Sequence, residues 1–495
     1  MKSMKISTNR QGWTMALLGM SLATIAHPRS PNVVFILADD LGWTDLSSFG
    51  SELYQTPNID RLAREGMRFE RAYAACTVCS PTRAAILTGR YPAALHVTDW
   101  IAGHQRPFAK LKIPDWKMEL DPREPNLART LHDAGYVTAH MGKWHLGEEP
   151  TWPEHQGFDF NVGGWSIGQP NRSANSNGYF SPYGNPRLSD GPVGEFLDDR
   201  LASEACAFIE KNHDRPFFLN FWPYLVHTPL QAEPERVQRY AAAAKQGKHQ
   251  RNPTYAAMVQ RLDEEVGKVM ATLDRLGLRE NTIIVFTSDN GGLLGNDGRN
   301  DRPPRVTSNF PLRTGKGDVY EGGIRVPLVV RFPGVVAAGT TSSTPVISID
   351  FFPTLLELTG CRTTEAVSRS RDGSSFASVL RGERKNWSRE ALYWHYPHYH
   401  TEGAAPYGAV LKGPWKLIEF YEDAHTELYN LDRDIGEQHD LSAQEPGKRN
   451  ELLADLRAWR TKVGAQMPGP NPRYDPAKDQ RPELAAPNAN PATKP

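Results

Sequence analysis

Two continuous apolar runs, far apart in the chain, constrain the fold more than any other feature of the sequence. The first is Asn32–Ala38 and the second is Thr282–Ser288, and both are rich in Val, Ile and Phe. Runs of this kind, without polar alternation, are typical of strands buried on both faces of a parallel sheet. Phe217–Trp222 has the same character, and Tyr136–His140 is a weaker example. We therefore predict an α/β fold with a mixed, mostly parallel central sheet between helices.

Both long runs end in side chains that bear oxygen. Asp39 and Asp40 follow the first run, and Asp289 and Asn290 follow the second, ahead of two glycines. Open α/β sheets bind ligands at the carboxyl ends of their strands, and adjacent carboxylates favour a cation between them. An isolated Asp-Asp pair is more often part of a solvated turn. Because all these ligand atoms are oxygens, the sequence predicts Ca²⁺ rather than Zn²⁺, with Mg²⁺ as the alternative.

A cysteine lies where a helix is expected to begin. Ser80 is a preferred N-cap residue and Pro81 suits the first helical position, so we predict a helix from Thr82 to Leu87. The unpaired N–H groups of this helix start, together with the charge of Arg83, would form an anion site beside Cys79. A buried structural cysteine next to a capped helix is the alternative interpretation.

The same stretch resembles the signature of the type I sulfatases, in which C-x-P-x-R is followed by L-T-G-R. In that family a maturing enzyme oxidises the motif cysteine to Cα-formylglycine, and the hydrated aldehyde is the nucleophile. The resemblance assigns this position to Cys79 and not to Cys76, because Val78 stands where the motif has proline. Cys76 and Cys79 also form a C-x-x-C pair, but no thioredoxin-like pattern surrounds them.

The acidic ends of the two long runs resemble the metal motifs of the same family, V-x-x-x-x-D-D and S-D-N-G. The family usually holds calcium there. The resemblance implies one metal site that is formed by five residues, Asp39, Asp40, Cys79, Asp289 and Asn290.

Three further segments resemble sulfatase motifs that bind sulfate or move protons. In Met141–Gly147, Lys143 would bind the sulfate and His145 would act on the formylglycine hydroxyl. His227, in an H-x-P segment, would lie near the leaving group, and Lys316, in G-K-x-x-x-x-E-G-G-x-R-V-P, would be the second substrate lysine. The resemblance thus implies a catalytic set of Cys79, Arg83, Lys143, His145, His227 and Lys316.

The nature of the substrate is predicted from residues outside these motifs. Asp99 and Trp100 follow the motif helix, and His395, His398 and His400 lie in an aromatic C-terminal patch. Aromatic faces and paired polar groups suit carbohydrate as well as aryl sulfates. Either the three histidines reach the sugar side of the substrate cleft, or they lie on a strand and a loop without contacting the substrate. The predicted substrate-binding set is Lys143, His227, Lys316, Asp99, Trp100 and His398.

The overall pattern looks like that of bacterial sulfatases that act on sulfated polysaccharides, and galactose or N-acetylgalactosamine is our preferred sugar type. The nearest competing function is a phosphonate monoester or phosphodiester hydrolase of the same superfamily. A catalytically silent carbohydrate-binding relative is an alternative from another class. A two-zinc phosphomonoesterase is disfavoured because the predicted metal set lacks histidine ligands.

The resemblance also implies the domain organisation. It predicts a large alkaline-phosphatase-like catalytic domain over residues 27–387 and a small α+β subdomain with an antiparallel sheet over residues 388–466. Short strand patterns at 391–396, 409–411 and 415–420 and a helical pattern at 451–463 agree with the small subdomain. Residues 467–495, rich in Pro, Ala, Asn and Asp, predict a disordered tail.

The N-terminus predicts export of the protein. Basic residues precede an apolar run, Trp13–Ile25, which is short for a membrane span, so residues 1–26 are interpreted as a signal peptide. A buried helix or an uncleaved anchor is the alternative. We expect a periplasmic or extracellular protein with no membrane span in the mature chain. The formal net charge of zero gives no global reason to expect nucleic acid as a partner.

Overall fold

A large mixed sheet forms the centre of the computed structural model, which describes residues 1, 30–295, 306–383 and 387–479. Within these residues nine strands belong to it, in the order β10-β2-β8-β7-β1-β6-β4-β5, with β9 paired to β2. Their bounds are β1 Asn32–Ala38, β2 Met67–Tyr73, β4 Val137–Gly142, β5 Phe160–Val162, β6 Phe217–Trp222, β7 Thr282–Ser288, β8 Arg325–Arg331, β9 Thr340–Ser342 and β10 Val346–Ile347. The predicted α/β architecture is confirmed.

The middle of the sheet is parallel. Strand β1 lies between β6 and β7 and runs parallel to both, whereas β8 is antiparallel to β7 and to β2. Every residue of β1 and of β7 is buried. Burial of both faces explains why these strands appear in the sequence as unbroken apolar runs.

Helices cover both faces of the sheet. Successive residues of β1 point to opposite sides, so that Val34 and Ile36 belong to one apolar cluster and Val33 and Phe35 to the other. The helices are α1 Pro57–Glu65, α2 Cys79–Thr88, α3 Pro92–Leu95, α4 Leu127–Asp133, α5 Leu197–Lys211, α6 Pro234–Gln246, α7 Pro253–Arg275, α8 Glu321–Ile324, α9 Phe351–Thr359, α10 Glu365–Arg369, α11 Ala377–Leu380 and α12 Pro446–Val463. Among the described residues, none of the helices has the length and apolar character that a membrane span requires.

A separate antiparallel sheet follows in the chain. Its strands are β11 Leu392–Tyr396, β12 Tyr407–Lys412, β13 Trp415–Phe420 and β14 Thr426–Asn430, in that order, and α12 packs against them. The ammonium group of Lys416, on β13, donates to Glu321 Oε1 of α8 at 3.0 Å, and both side chains are buried. This ion pair ties the small sheet to the segment that follows Lys316.

Several boundaries differ from the sequence predictions. Helix α2 begins at Cys79, and its N-cap is Val78 instead of the predicted Ser80. The Ser80 hydroxyl accepts the backbone N–H of Ile101 at 3.2 Å. Strand β14 was not predicted, and α12 begins at Pro446 instead of residue 451.

The predicted tail is partly ordered. Within it, β15 (Gly469–Pro470) pairs with β3 (Leu111–Lys112), and Asp479 forms a 2.7 Å ion pair with Arg106. These contacts hold residues 469–479 against the loop that follows α3. The rest of the tail from 480 and the predicted signal peptide apart from Met1 lie outside the described residues, and so do residues 296–305, most of a polar stretch that follows β7.

A buried histidine in β4, His140, predicts that the stability of the fold decreases in acid. Burial lowers the pKa of His140 to about 3, and the neutral ring accepts from Asn220 Nδ2 at 3.0 Å and donates to the Gly142 carbonyl at 3.2 Å. An unfolded histidine titrates near pH 6.5, so the stabilisation is complete above that pH and is lost as the pH falls towards 3.

Between about pH 7 and pH 5, the wild type should therefore lose about 2 kcal/mol more unfolding free energy than His140→Gln. Urea unfolding at the two pH values measures this difference. The control is His213→Gln at an exposed position, which should keep the wild-type pH dependence. Equal pH dependence in wild type and His140→Gln would contradict the assignment.

Candidate active site

The carboxyl ends of β1 and β7 place two aspartates next to each other. Ala38 and Ser288, the last residues of these strands, are paired, and Asp39 and Asp289 follow them. The backbone N–H of Asp289 donates to the Ala38 carbonyl at 3.2 Å, and Asp289 Oδ1 accepts the backbone N–H of Asp40 at 3.2 Å. The strand register therefore brings together the two acidic motifs that the sequence places 249 residues apart.

The side chains at the acidic strand ends form a donor set that suits a divalent cation. Ligand atoms of Asp39, Asp40 and His227 all lie within 4.8 Å of one another. Asn290 Nδ2 donates to Asp40 Oδ1 at 2.8 Å, while Asn290 Oδ1 is buried and has no hydrogen-bond partner among the described residues. An unpartnered buried oxygen beside carboxylates is what a hard cation would satisfy. His227 was not among the predicted metal ligands.

Two buried lysines contact the same aspartates. Lys143 Nζ donates to both carboxylate oxygens of Asp39, at 2.9 and 2.8 Å, and Lys316 Nζ donates to Asp40 Oδ2 at 2.8 Å. Burial alone would raise the pKa of Asp40, but the positive charges of Lys316 and Lys143 bring it below its ordinary value. The ammonium groups thus line the acidic strand ends and keep Asp40 ionised.

Arg83 lies one turn inside α2 and is fully buried. Its Nε and Nη2 donate to Asp289 Oδ2 at 2.9 and 2.7 Å, and its Nη1 donates to the Lys143 carbonyl at 2.9 Å. The guanidinium group also lies 5.2 Å from the ring centroid of Trp222, at the end of β6. These contacts fix a permanent positive charge at the base of the site.

Cys79 is the first residue of α2 and faces His145. The distance between Cys79 Sγ and His145 Nδ1 is 3.3 Å, and His145 Nε2 contacts the carbonyl oxygen of Ile101. Because a carbonyl only accepts, Nε2 carries the proton and the lone pair of Nδ1 points towards residue 79. Burial and the charge of Lys143 hold the pKa of His145 well below its ordinary value. His145 is therefore arranged as a proton acceptor from residue 79.

His227 lies next to Lys316. Its Nδ1 lies 2.7 Å from the Thr228 carbonyl and so carries the proton, and its Nε2 accepts from Lys316 Nζ at 3.1 Å. Burial and the charge of Lys316 lower the pKa of His227 to about 3. The Lys316 ammonium thus donates to both Asp40 and His227.

The residues predicted to contact the sugar do not all reach the cleft. Trp100 is half-buried, and its ring centroid lies 6.3 Å from that of His145. Asp99 is buried and accepts from the Tyr396 hydroxyl at 2.7 Å, so this carboxylate is hydrogen-bonded inside the protein. His398 was expected at the substrate, but it is buried, with Nε2 2.8 Å from Thr98 Oγ1 and Nδ1 sealed from solvent. The structure thus places only Trp100 of these three beside the site.

Sequence reasoning missed the part played by the backbone. The Ile101 carbonyl, which sets the tautomer of His145, and the Trp222 carbonyl, which accepts the Lys143 N–H at 2.8 Å, carry no side-chain signal. The contact between Arg83 and the Trp222 ring has no local signal either. It depends on the sheet order, in which β6 lies between β1 and β4.

Comparisons with known proteins identify families and relatives that this chain resembles. Residues 31–361 match the family described as Sulfatase, and residues 315–462 match the family described as N-sulphoglucosamine sulphohydrolase, C-terminal. A curated protein of Formosa agariphila named Sulfatase is 32% identical, covering 88% of this chain and 90% of its own. The N-acetylgalactosamine-6-sulfatase of Mus musculus is 33% identical, covering 94% and 92%.

A solved structure has the same fold. The crystal structure of Ps i-CgsB in complex with k-i-k-neocarrahexaose superimposes with a TM-score of 0.71 at 28% identity, covering 90% of this chain and 95% of the other.

Proposed function

The chain belongs to the sulfatase family, and from this premise we propose that it removes sulfate from sulfated carbohydrate, using a formylglycine made from Cys79 and a bound divalent cation. Hydrolysis of sulfuric esters is the activity of the family. The observation that carries the finer proposal is the position of Cys79, which begins a helix beside Arg83 and lies 3.3 Å from a neutral histidine.

We propose that the cation is Ca²⁺ held by Asp39, Asp40, Asp289 and Asn290 together with residue 79. The unpartnered oxygen of Asn290 and the all-oxygen donor set of the strand ends support this choice over zinc. When bound, a divalent cation supplies positive charge that stabilises sulfate oxygens and increases the acidity of a hydroxyl group.

The charges of the site fit an anionic substrate. Three carboxylates, those of Asp39, Asp40 and Asp289, are matched by the side chains of Arg83, Lys143 and Lys316 in buried contacts. With all three carboxylates ionised, the protein's own charges balance, and a divalent cation makes the site net positive. A sulfate monoester carries the negative charge that such a site would attract and stabilise in the transition state.

Proton transfer is assigned from the tautomers of the two histidines. We propose that the hydrated aldehyde of residue 79 supplies the attacking hydroxyl. His145, whose Nδ1 lone pair faces residue 79, accepts the proton of the other hydroxyl so that sulfate can leave. Lys316 Nζ donates to His227 Nε2 at 3.1 Å, and this pair is assigned to protonate the departing alcohol. We assign Asp289 as the acceptor for the proton of the attacking hydroxyl.

A carbohydrate substrate is proposed from the relatives and from Trp100. One relative is named N-acetylgalactosamine-6-sulfatase, and one neighbouring structure holds k-i-k-neocarrahexaose. The half-buried face of Trp100 beside His145 is suited to packing on a sugar ring. We prefer sulfated galactose or N-acetylgalactosamine.

The test is sulfate release by protein that has been co-expressed with a formylglycine-generating enzyme. Ion chromatography would measure release from 4-nitrophenyl sulfate and from a panel of monosulfated galactose, N-acetylgalactosamine, glucosamine and fucose. We expect turnover of 4-nitrophenyl sulfate and of at least one sugar sulfate. Faster hydrolysis of phenyl phosphonate than of every sulfate would instead support a phosphonate monoester hydrolase.

We further propose that residues 1–26 direct export, which would place the enzyme in the periplasm or outside the cell, where sulfated polysaccharides are met. N-terminal sequencing of the protein from the culture medium or periplasm, with cleavage after Ala26, would support this.

A further inference from the structure

Three histidines, His395, His398 and His400, lie within six residues of one another, yet the structure gives them different surroundings. Both ring nitrogens of His395 are occupied, Nδ1 by the Tyr421 hydroxyl at 2.7 Å and Nε2 by the Gln466 carbonyl at 2.9 Å. His398 contacts Thr98 through Nε2, and its Nδ1 is sealed from solvent. Neither of these two rings offers a free polar atom to the cleft.

His400 differs because one of its nitrogens remains available. Its Nδ1 accepts the backbone N–H of Glu402 at 3.1 Å, so the neutral ring carries its proton on Nε2. Within the described residues Nε2 makes no hydrogen bond, and it is not among the polar atoms sealed from solvent. Burial lowers the pKa of His400 well below its ordinary value, and His104 and Lys316 act in the same direction, against Asp40. His400 is therefore a neutral ring with one unused N–H donor.

The ring lies directly beside the residue that follows Lys316. A Cβ atom at Gly317 would come within 2.2 Å of His400 Nδ1, so only glycine admits the ring at this position. The Gly317 N–H donates to the Thr77 carbonyl at 2.9 Å, two residues before Cys79. His400 thus covers the short backbone bridge that connects the second substrate lysine to the nucleophile segment.

His400 also contacts an aromatic pair beside the site, Trp100 and His104. The His104 ring lies edge-on at 4.9 Å between centroids, and Trp100 Nε1 donates to His104 Nδ1 at 3.1 Å. His400 therefore contacts the residue after Lys316 on one side and the Trp100–His104 pair on the other. If the sulfate group lies against Lys316, the rest of the substrate can extend towards these rings.

We propose that the Nε2–H group of His400 donates a hydrogen bond to a hydroxyl or ring oxygen of the sugar that carries the sulfate, and that this contact discriminates sugar sulfates from aryl sulfates. The inference rests on the proposed function. Lys143, Lys316 and Arg83 already supply the charges that a sulfate group needs, whereas a neutral single donor matches a neutral oxygen. A phenyl ring has no such oxygen, so only a sugar substrate uses the donor.

The test compares two substrates on matched variants of the formylglycine-containing enzyme. His400→Phe keeps a ring but removes the donor, and His400→Gln restores an N–H group. For the best sugar sulfate of the panel, His400→Phe should lower kcat/KM about tenfold more than it does for 4-nitrophenyl sulfate, mostly through KM. His400→Gln should recover part of that difference. His395→Phe should leave the ratio of the two activities unchanged, because both ring nitrogens of His395 already have protein partners.

Each outcome decides between the proposals. Equal losses on both substrates would overturn the role of His400, and so would a wild type that hydrolyses 4-nitrophenyl sulfate but no sugar sulfate. If wild type carrying formylglycine hydrolysed neither, the proposed function itself would fail. Should His400→Phe not fold, as judged by its melting temperature, His400→Asn against His400→Gln makes the same comparison, because the shorter amide reaches less far.

Discussion

Replacement of Cys79 by alanine is expected to abolish sulfate release, lowering kcat by about four orders of magnitude or more, because the nucleophile is lost. Cys79→Ser should behave differently, since serine offers a single hydroxyl. It can accept the sulfuryl group once but has no second hydroxyl on the same carbon with which to expel it. Rapid mixing with 4-nitrophenyl sulfate should therefore release at most one 4-nitrophenol per enzyme molecule.

The matched control is Cys76→Ser, three residues earlier. Cys76 is also buried, and burial raises the pKa of its thiol to about 12, so it is unsuited to nucleophilic chemistry. This variant should keep most of the wild-type kcat. Sustained turnover by Cys79→Ser would contradict the assignment of residue 79.

Asp289→Asn is expected to damage both catalysis and stability. Asp289 Oδ2 accepts two hydrogen bonds from Arg83, and both side chains are fully buried. Removing the carboxylate charge leaves a buried guanidinium with weaker compensation, which costs about 3 kcal/mol of unfolding free energy, and it removes an anionic cation ligand. We expect kcat/KM to fall about a hundredfold or more. Denaturant unfolding and steady-state kinetics measure the two effects.

Asp274→Asn provides the comparison. Asp274 forms a 2.7 Å ion pair with Arg61 in which both side chains are about one-third exposed. A solvent-screened pair of this kind contributes about 0–1 kcal/mol. Asp274 lies in the last turn of α7, where its ion-pair partners are Arg61 and Arg279. If Asp289→Asn lost no more stability and activity than Asp274→Asn, the buried charge network would not have the role assigned to it.

The strands and the acidic strand ends were predictable because their signals are local. A strand buried on both faces needs an unbroken apolar run, and parallel pairing brings the carboxyl ends of β1 and β7 to one edge. The meeting of Asp39 with Asp289 follows from those two facts once the strands are neighbours, as the register of Ala38 with Ser288 shows.

Other features depend on contacts that no local pattern encodes. Ser80 was expected to cap α2, but its hydroxyl accepts the N–H of Ile101, twenty-one residues away, and the helix begins at Cys79. The tautomer of His145 is set by the carbonyl of the same Ile101, and a carbonyl is present at every residue. His395, His398 and His400 are equivalent in the sequence and are distinguished only by their tertiary partners.

The most direct test of the proposed nucleophile is the mass of the tryptic peptide 72–83, taken from protein made with an active formylglycine-generating enzyme. The peptide contains both Cys76 and Cys79, so each molecule carries its own control. We expect one alkylated thiol, at Cys76, and an aldehyde in place of the Cys79 thiol, located by fragmentation. Two alkylated thiols under these conditions would contradict the assignment of residue 79 as the nucleophile.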